Sequence, residues 1–264
     1  MPDCRDDLLA QAGFRFGRSG VHQARSMMLA DLRSLLEACP SEATTPDAFA
    51  NAILLENCLG KRSVTSRRLS LKHLRSLYAL DPGVPIYRFF RFLWCRMPDE
   101  RPLLALLIAY ARDPVLRDSA PRIISMPPGD QLPFGAMETF LESLDENRYS
   151  PATLKSTACN VRTSWTHSGH LSGNVIKRRA TAEPGAGSVA LALLLGYLVG
   201  HRGMLLFESE YMRLLDATTA RKNELAQTAS KRGWLVFKQI GSIVEVLFPG
   251  VLTDKEQERI REQG

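Results

Sequence analysis

Apolar residues return at helical spacing through most of the first half of the chain, and that period decides what the chain folds into. Met27, Met28, Leu32, Leu35 and Leu36 form one such stripe. Thr45-Pro46 reads as an N-cap followed by proline at the first helical position, and Phe49, Ala52, Ile53 and Glu56 continue that helix. Ser63 caps the next helix, which carries Leu71, Leu74, Leu77 and Tyr78, and Asp81-Pro82-Gly83 is its expected stop. Ile86, Phe89, Phe90, Leu93, Trp94 and Met97 give a fourth helix a broad apolar face. Residues 103–110 read as a buried fifth, and Asp113-Pro114 starts a short sixth. The most apolar run, residues 189–199, contains Gly196 and is shorter than the roughly 20 residues a bilayer requires. A buried helix is expected there, and no membrane span.

The clearest β signal lies near the C-terminus. Residues 234–240 and 243–248 are rich in Val, Ile and aromatics, with Gly241-Ser242 between them. A glycine-first two-residue loop suits a type II′ hairpin. A helix over residues 221–232 leads into it, and Thr253 caps a short polar helix after it. Two Pro/Gly-rich stretches, residues 126–135 and 181–188, mark boundaries. The expected organisation is an N-terminal helical domain with a basic helix (1–126), a winged-helix-like segment (127–182) and a C-terminal helical subdomain with a β-hairpin (183–264). The fold class is mainly α: multi-helical, with helix-turn-helix or winged-helix-like units and a short C-terminal β-hairpin.

Hydrophobic residues at 45% are enough to build a core, so function is sought in how the net charge of +6 is distributed. Lys61, Arg62, Arg67, Arg68, Lys72 and Arg75 fall in one stretch with His73, and no acidic residue occurs between Lys61 and Leu80. On a helix capped by Ser63, Arg68, Lys72 and Arg75 share one face, while Leu71, Leu74 and Tyr78 share another. A solvated helix usually mixes charge signs to gain i,i+4 pairs, and this one does not. The second candidate begins at Ser150-Pro151. There Leu154, Ala158, Val161 and Trp165 form an apolar stripe, and Gly169 is the stop. Its other faces carry Lys155, Ser156, Asn160, Arg162, Thr163 and Thr166, a mixture that reaches both phosphates and base edges. His170 to Gly173 and then Val175 to Arg179 read as an extended pair, a wing bearing Lys177, Arg178 and Arg179. No acidic residue occurs from Arg148 through Ala182, whereas residues 99–146 are acid-rich. The C-terminal helix and hairpin could form another winged unit, but Glu224 and Glu245 dilute its cations, and a structural or partner-docking role is the better expectation there. The expected nucleic-acid contacts are therefore Lys61, Arg62, Ser63, Arg67, Arg68, Lys72, Arg75, Lys155, Asn160, Arg162, Lys177, Arg178 and Arg179.

Several chemistries find no support. Cys4, Cys39, Cys58, Cys95 and Cys159 are scattered and odd in number, which favours reduced thiols in a cytoplasmic protein over a disulfide framework. Asp3, Asp6 and Asp7 and the lack of a long apolar core argue against a secretory signal. Gly60-Lys61 is followed by Arg62, and Leu55 stands where a phosphate loop needs its first glycine. Pro98-Asp99-Glu100 lacks the nearby lysine of a nuclease metal site. His167 and His170 sit at i,i+3 near Cys159 but have no further ligand, and they read as ordinary polar surface. A non-catalytic protein without metal or cofactor is expected.

The stretch 57–173 resembles the BrxA family of BREX phage-defence systems. The resemblance is carried by Lys61-Arg62-Ser63, Arg67-Arg68 and Leu74. It continues through the run from Leu106 to Asp118, and then Ser150, Thr153, Lys155 and Gly169-His170-Leu171. It implies a helical DNA-binding protein, similar to antitermination factors, that is encoded beside a phosphatase-like protein, a DNA methyltransferase and an ATPase. It brings no catalytic residues. Some family members carry an inner-membrane label, which the hydropathy here opposes, and the tail beyond Arg179 departs from the family pattern. The expected partners are DNA (RNA being the alternative) and other BREX proteins. The competing readings are a protein–protein scaffold and a winged-helix transcriptional regulator.

Overall fold

Helices begin where the capping chemistry places them. In the computed structural model, which describes residues 4–241 and 243–261, the helices in chain order are α1 (Cys4–Ala12), α2 (Leu29–Ala38), α3 (Pro46–Leu54), α4 (Val64–Tyr78), α5 (Pro85–Arg96), α6 (Arg101–Arg112), α7 (Pro114–Ile124), α8 (Ala136–Leu144), α9 (Pro151–His167), α10 (Ala186–Leu198), α11 (Leu205–Glu208), α12 (Glu210–Arg213), α13 (Thr219–Lys231) and α14 (Asp254–Arg261). The strands are β1 (Gln131–Leu132), β2 (Leu171–Ser172), β3 (Lys177–Arg179), β4 (Val236–Ile240) and β5 (Ile243–Leu247). Thr45, Ser63, Asp113 and Ser150 each accept the backbone N–H of the third residue on, as N-caps do. The architecture is mainly helical, and none of the described helices is long and apolar enough to cross a membrane. Asp3 lies outside the described residues.

The chain forms two compact units that are discontinuous in sequence. One unit gathers Arg15–Gly83 and Ile108–Thr181. Within it α2, α3 and α4 pack in succession, burying Leu32, Leu35, Phe49, Ile53, Leu74, Leu77 and Tyr78. The Tyr78 hydroxyl donates to the Met27 carbonyl. The helix α4 ends at Tyr78, earlier than Asp81-Pro82-Gly83 would stop it, because Ala79 and Leu80 adopt φ of +63° and +54°. That turn sends Leu80 inward, where it is fully buried.

The second half of this unit runs α7, β1, α8, α9, β2, β3. The three helices pack on one another, and the strands form an antiparallel sheet of order β1-β3-β2, with Leu132 opposite Lys177 and Leu171 opposite Arg179. That order and pairing are those of a winged helix, with α9 as its third helix and the β2–β3 loop as its wing. Trp165 on α9 is wholly buried, and its indole N–H donates to Ser119 Oγ on α7 at 2.8 Å. Burying the indole while its one polar atom keeps a partner fixes how α9 rolls against the unit.

The other unit gathers Met1–Phe14, Val84–Leu107 and Ala182–Gly264. All thirteen residues of α10 are buried in it, as its apolar sequence requires. Glu100, just before α6, caps this helix. Its Oε1 accepts from Gly187 N at 3.1 Å, and its Oε2 accepts from Ser188 N at 2.6 Å and Ser188 Oγ at 2.7 Å. A carboxylate there satisfies orphan N–H groups and meets the positive end of the helix dipole. The expected hairpin is β4–β5, paired from Val236↔Leu247 to Ile240↔Ile243. Gly241 has φ +60°, and Ser242 lies outside the described residues. Thr253 caps α14 reciprocally with Glu256.

Candidate nucleic-acid interface

Burial divides α9 into two faces. Ala158, Val161, Ser164 and Trp165 face the unit's interior, while Lys155, Ser156, Cys159 and His167 are exposed and Arg162, Thr163 and Thr166 are half-buried. Lys155, Cys159, Arg162 and Thr166 recur at helical spacing, so one outer face carries the cations. The hydroxyls of Ser156, Thr163 and Thr166 donate to carbonyls of the helix itself. Their oxygens keep acceptor capacity towards a ligand.

The wing adds to this face. Gly173 has φ +88°, and a methyl group there would collide with the Ile176 carbonyl, so the loop depends on glycine. Beyond it Val175 is 87% and Ile176 54% exposed. Lys177 Nζ donates to Gly173 O at 2.6 Å, and exposed Arg178 uses one N–H on Gly129 O at 3.2 Å. Partial burial, then Arg162, lower the Lys177 pKa. Partial burial, then Lys177 and Arg33, hold the His167 imidazole below its ordinary value. The helix α2, α9 and the wing thus bring Arg33, Arg162, His167 and Lys177 into one electropositive neighbourhood. Arg33 was not legible as a site residue, because Asp31 and Glu37 share its helix.

Two expected contact residues serve the fold instead. Arg179 is 4% exposed, and its guanidinium donates to the carbonyls of Ile123, His170 and Ala180. The strand alternates, so β3 turns Arg178 outward and Arg179 inward. Arg179 therefore leaves the candidate surface. Asn160 is half-buried, and its Nδ2 donates to His22 O at 3.1 Å. Asn160→Ala is expected to cost about 1–3 kcal/mol of stability, since a carbonyl loses its partner. Urea unfolding checks this, and duplex affinity of the folded variant should stay unchanged.

The first basic segment is also divided. Lys61 Nζ pairs with Asp31 Oδ1 at 2.8 Å, and Arg67 donates to Leu54 O at 2.7 Å, so neither is a free cation. Ser63 is taken up by its cap. Arg62, Arg68 and Lys72 are exposed, and half-buried Arg75 uses one N–H on Pro46 O at 2.8 Å. The expected apolar face of α4 is confirmed by the burial of Leu71, Leu74 and Tyr78.

One polar constellation escaped the sequence. Ser164 Oγ lies 2.9 Å from His22 Nε2, and His22 Nδ1 lies 3.1 Å from Asp113 Oδ2. This is the order of a nucleophile, base and orienting acid. All three side chains are sealed from solvent, however, and Ser164 Oγ already donates to Asn160 O and accepts from Met27 N. The chain of bonds ties the 3₁₀ turn Val21–Gln23 to α7 and α9. Its members lie 91 and 51 residues apart, beyond the reach of any local motif. His170, expected at the surface, is likewise core: its ring meets Trp165 edge-on at 4.9 Å, with Nδ1 2.8 Å from Ser168 Oγ. Among the described residues no three His, Cys, Asp or Glu side chains group to hold a metal. Comparison of the sequence with protein-family models and with curated proteins finds no match.

Proposed function

We propose that the chain binds double-stranded DNA through the outer face of α9 and the β2–β3 wing. It acts without catalysis, as a cytoplasmic accessory of a BREX-type phage-defence system and a member of the BrxA family. The observation that carries the binding reading is the winged-helix order with an acid-free cationic face on its third helix. A helix of that width fits the major groove, where Lys155 and Arg162 reach phosphates from its edges. The wing then lies along the neighbouring backbone with Lys177 and Arg178. Val175 and Ile176 at its exposed tip suit sugar or base-step contact in a minor groove. Phosphate contacts position the protein, and with few free donors on α9 the sequence preference is expected to be weak.

Fluorescence anisotropy with a duplex at low salt tests this. The variant Lys155→Ala/Lys177→Ala/Arg178→Ala removes two exposed cations and the half-buried Lys177, and its salt slope is expected to be shallower by about 2.7 than that of the parent. A parent protein that stays unbound at low salt, or a variant that binds as tightly, would overturn the reading and leave the scaffold role in front. A single-stranded RNA competitor separates the two nucleic acids. A gene neighbourhood of methyltransferase, phosphatase-like protein and ATPase tests the BREX assignment.

A further inference from the structure

A groove beside α4 is lined by Arg15, Arg68, Leu71, Lys72, Arg75 and Ser76. Four of the six are cations and none is an acid. Arg15 reaches the groove from 53 residues before Arg68 in the chain, and its guanidinium is held on the Ser76 hydroxyl. Arg68 and Lys72 are exposed, and among the described residues neither side chain has a hydrogen-bond or ion-pair partner.

Arg112 raises the positive potential behind the groove. Its Nε donates to Ser76 O at 3.0 Å and its Nη2 to Arg75 O at 3.2 Å. Burial, then the charge of Arg15, lower its pKa to about 10. The His73 imidazole one residue beyond Lys72 is also held low, by burial and then Arg25 and Lys72.

Fold support accounts for only part of this cluster. Arg112 and Arg75 serve carbonyls, and cations near the end of α4 favour the negative end of its dipole. Arg68 and Lys72 sit mid-helix, where the dipole gives nothing and mutual repulsion with Arg15 and Arg75 is unfavourable. Such a cluster is relieved by an anion, and three guanidinium forks favour one whose oxygens lie in pairs.

We propose that this groove binds a phosphate group, held by Arg15, Arg68, Lys72 and Arg75, at a site whose residues are separate from those of α9 and the wing. The phosphate belongs to a nucleic-acid backbone, so the unit grips nucleic acid at two patches; this identity rests on the DNA-binding reading, while the site itself does not.

The test uses the full chain in three forms: the parent, Arg68→Ala/Lys72→Ala, and Lys155→Ala/Lys177→Ala/Arg178→Ala. Both substituted groove side chains are exposed, and thermal melting confirms that the variant folds. Pyrophosphate titrated calorimetrically at low salt should bind the parent and the α9–wing variant alike. It should bind the groove variant at least tenfold more weakly, with Arg68→Lys/Lys72→Arg restoring binding. In the duplex arm, the groove variant should have a salt slope shallower than the parent's by about 1.8. Loss of pyrophosphate binding with an unchanged duplex slope would assign the site to a free phosphate compound and overturn the backbone part. A parent that binds pyrophosphate but no duplex would overturn the DNA reading and leave the groove standing. Pyrophosphate that binds the groove variant as well as the parent, or binds none of the forms, would overturn the site.

Discussion

Raising the salt from about 50 to about 200 mM is expected to weaken duplex binding by orders of magnitude, and the size of the fall counts the patches. Each neutralised phosphate contributes about −0.9 to the slope of log affinity against log salt. If only Arg33, Lys155, Arg162, Lys177 and Arg178 contact phosphates, the slope is about −4.5 and the fourfold salt increase costs roughly 500-fold. If Arg15, Arg68, Lys72 and Arg75 contribute as well, the slope is about −8 and the loss is on the order of 10⁵-fold. Arg179, Lys61 and Arg67 are left out of both sums, because Arg179 is buried, Lys61 is paired with Asp31, and Arg67 is half-buried and turned to the Leu54 carbonyl. Work above pH 7 keeps His167 neutral, since burial and its cationic neighbours hold its pKa below the ordinary value. An anisotropy series read at several salt concentrations gives the slope directly. A slope near zero would remove phosphate contact with the duplex, and with it the α9–wing patch and the backbone identity of the groove's phosphate, while the groove itself is tested by pyrophosphate.

How much of this was legible in the sequence follows the range of each interaction. Caps are local: Thr45, Ser63, Asp113 and Ser150 were readable because each bonds an N–H three residues away. The hairpin and the wing were readable because glycine and β-rich runs stand next to each other. The strand β1 was not expected, since two residues carry no period, and its pairing with β3 spans 47 positions. The same limit governed the site. Acid-free runs located α4 and α9, but a one-dimensional run cannot show that Lys61 meets Asp31 from 30 residues away. Nor can it show that Arg15 joins from the segment after α1 and Arg33 from α2. Alternation along β3 was the one signal that could have separated Arg178 from Arg179, because neighbours on a strand face opposite ways.

Asp113→Ala is expected to produce the largest loss of stability, about 3–5 kcal/mol, because it leaves buried groups without their acceptor. One carboxylate holds three parts of the unit. Its Oδ1 caps α7 through Leu116 N, and its Oδ2 accepts from Val21 N and His22 N and lies 3.1 Å from the His22 ring. Gly20 is required beside it, since a methyl group there would collide with the carboxylate. Burial alone would raise the Asp113 pKa, but the His22 charge and hydrogen bond and the backbone N–H groups together hold it below the ordinary value. The sign follows: the folded pKa lies below the unfolded one near 3.9, so its contribution is present above that pH and is lost as the pH falls through the folded value. The Trp165 indole N–H resonance reports this unit specifically, as Trp94 and Trp234 belong to the other one. Under acid titration the parent should lose that resonance below about pH 4. Asp113→Asn should be weaker at neutral pH and should lack this step, because its side chain does not titrate. An Asp113→Ala variant as stable to urea as the parent, or an unchanged acid step in Asp113→Asn, would show that the carboxylate does not hold the turn, α7 and α9 together.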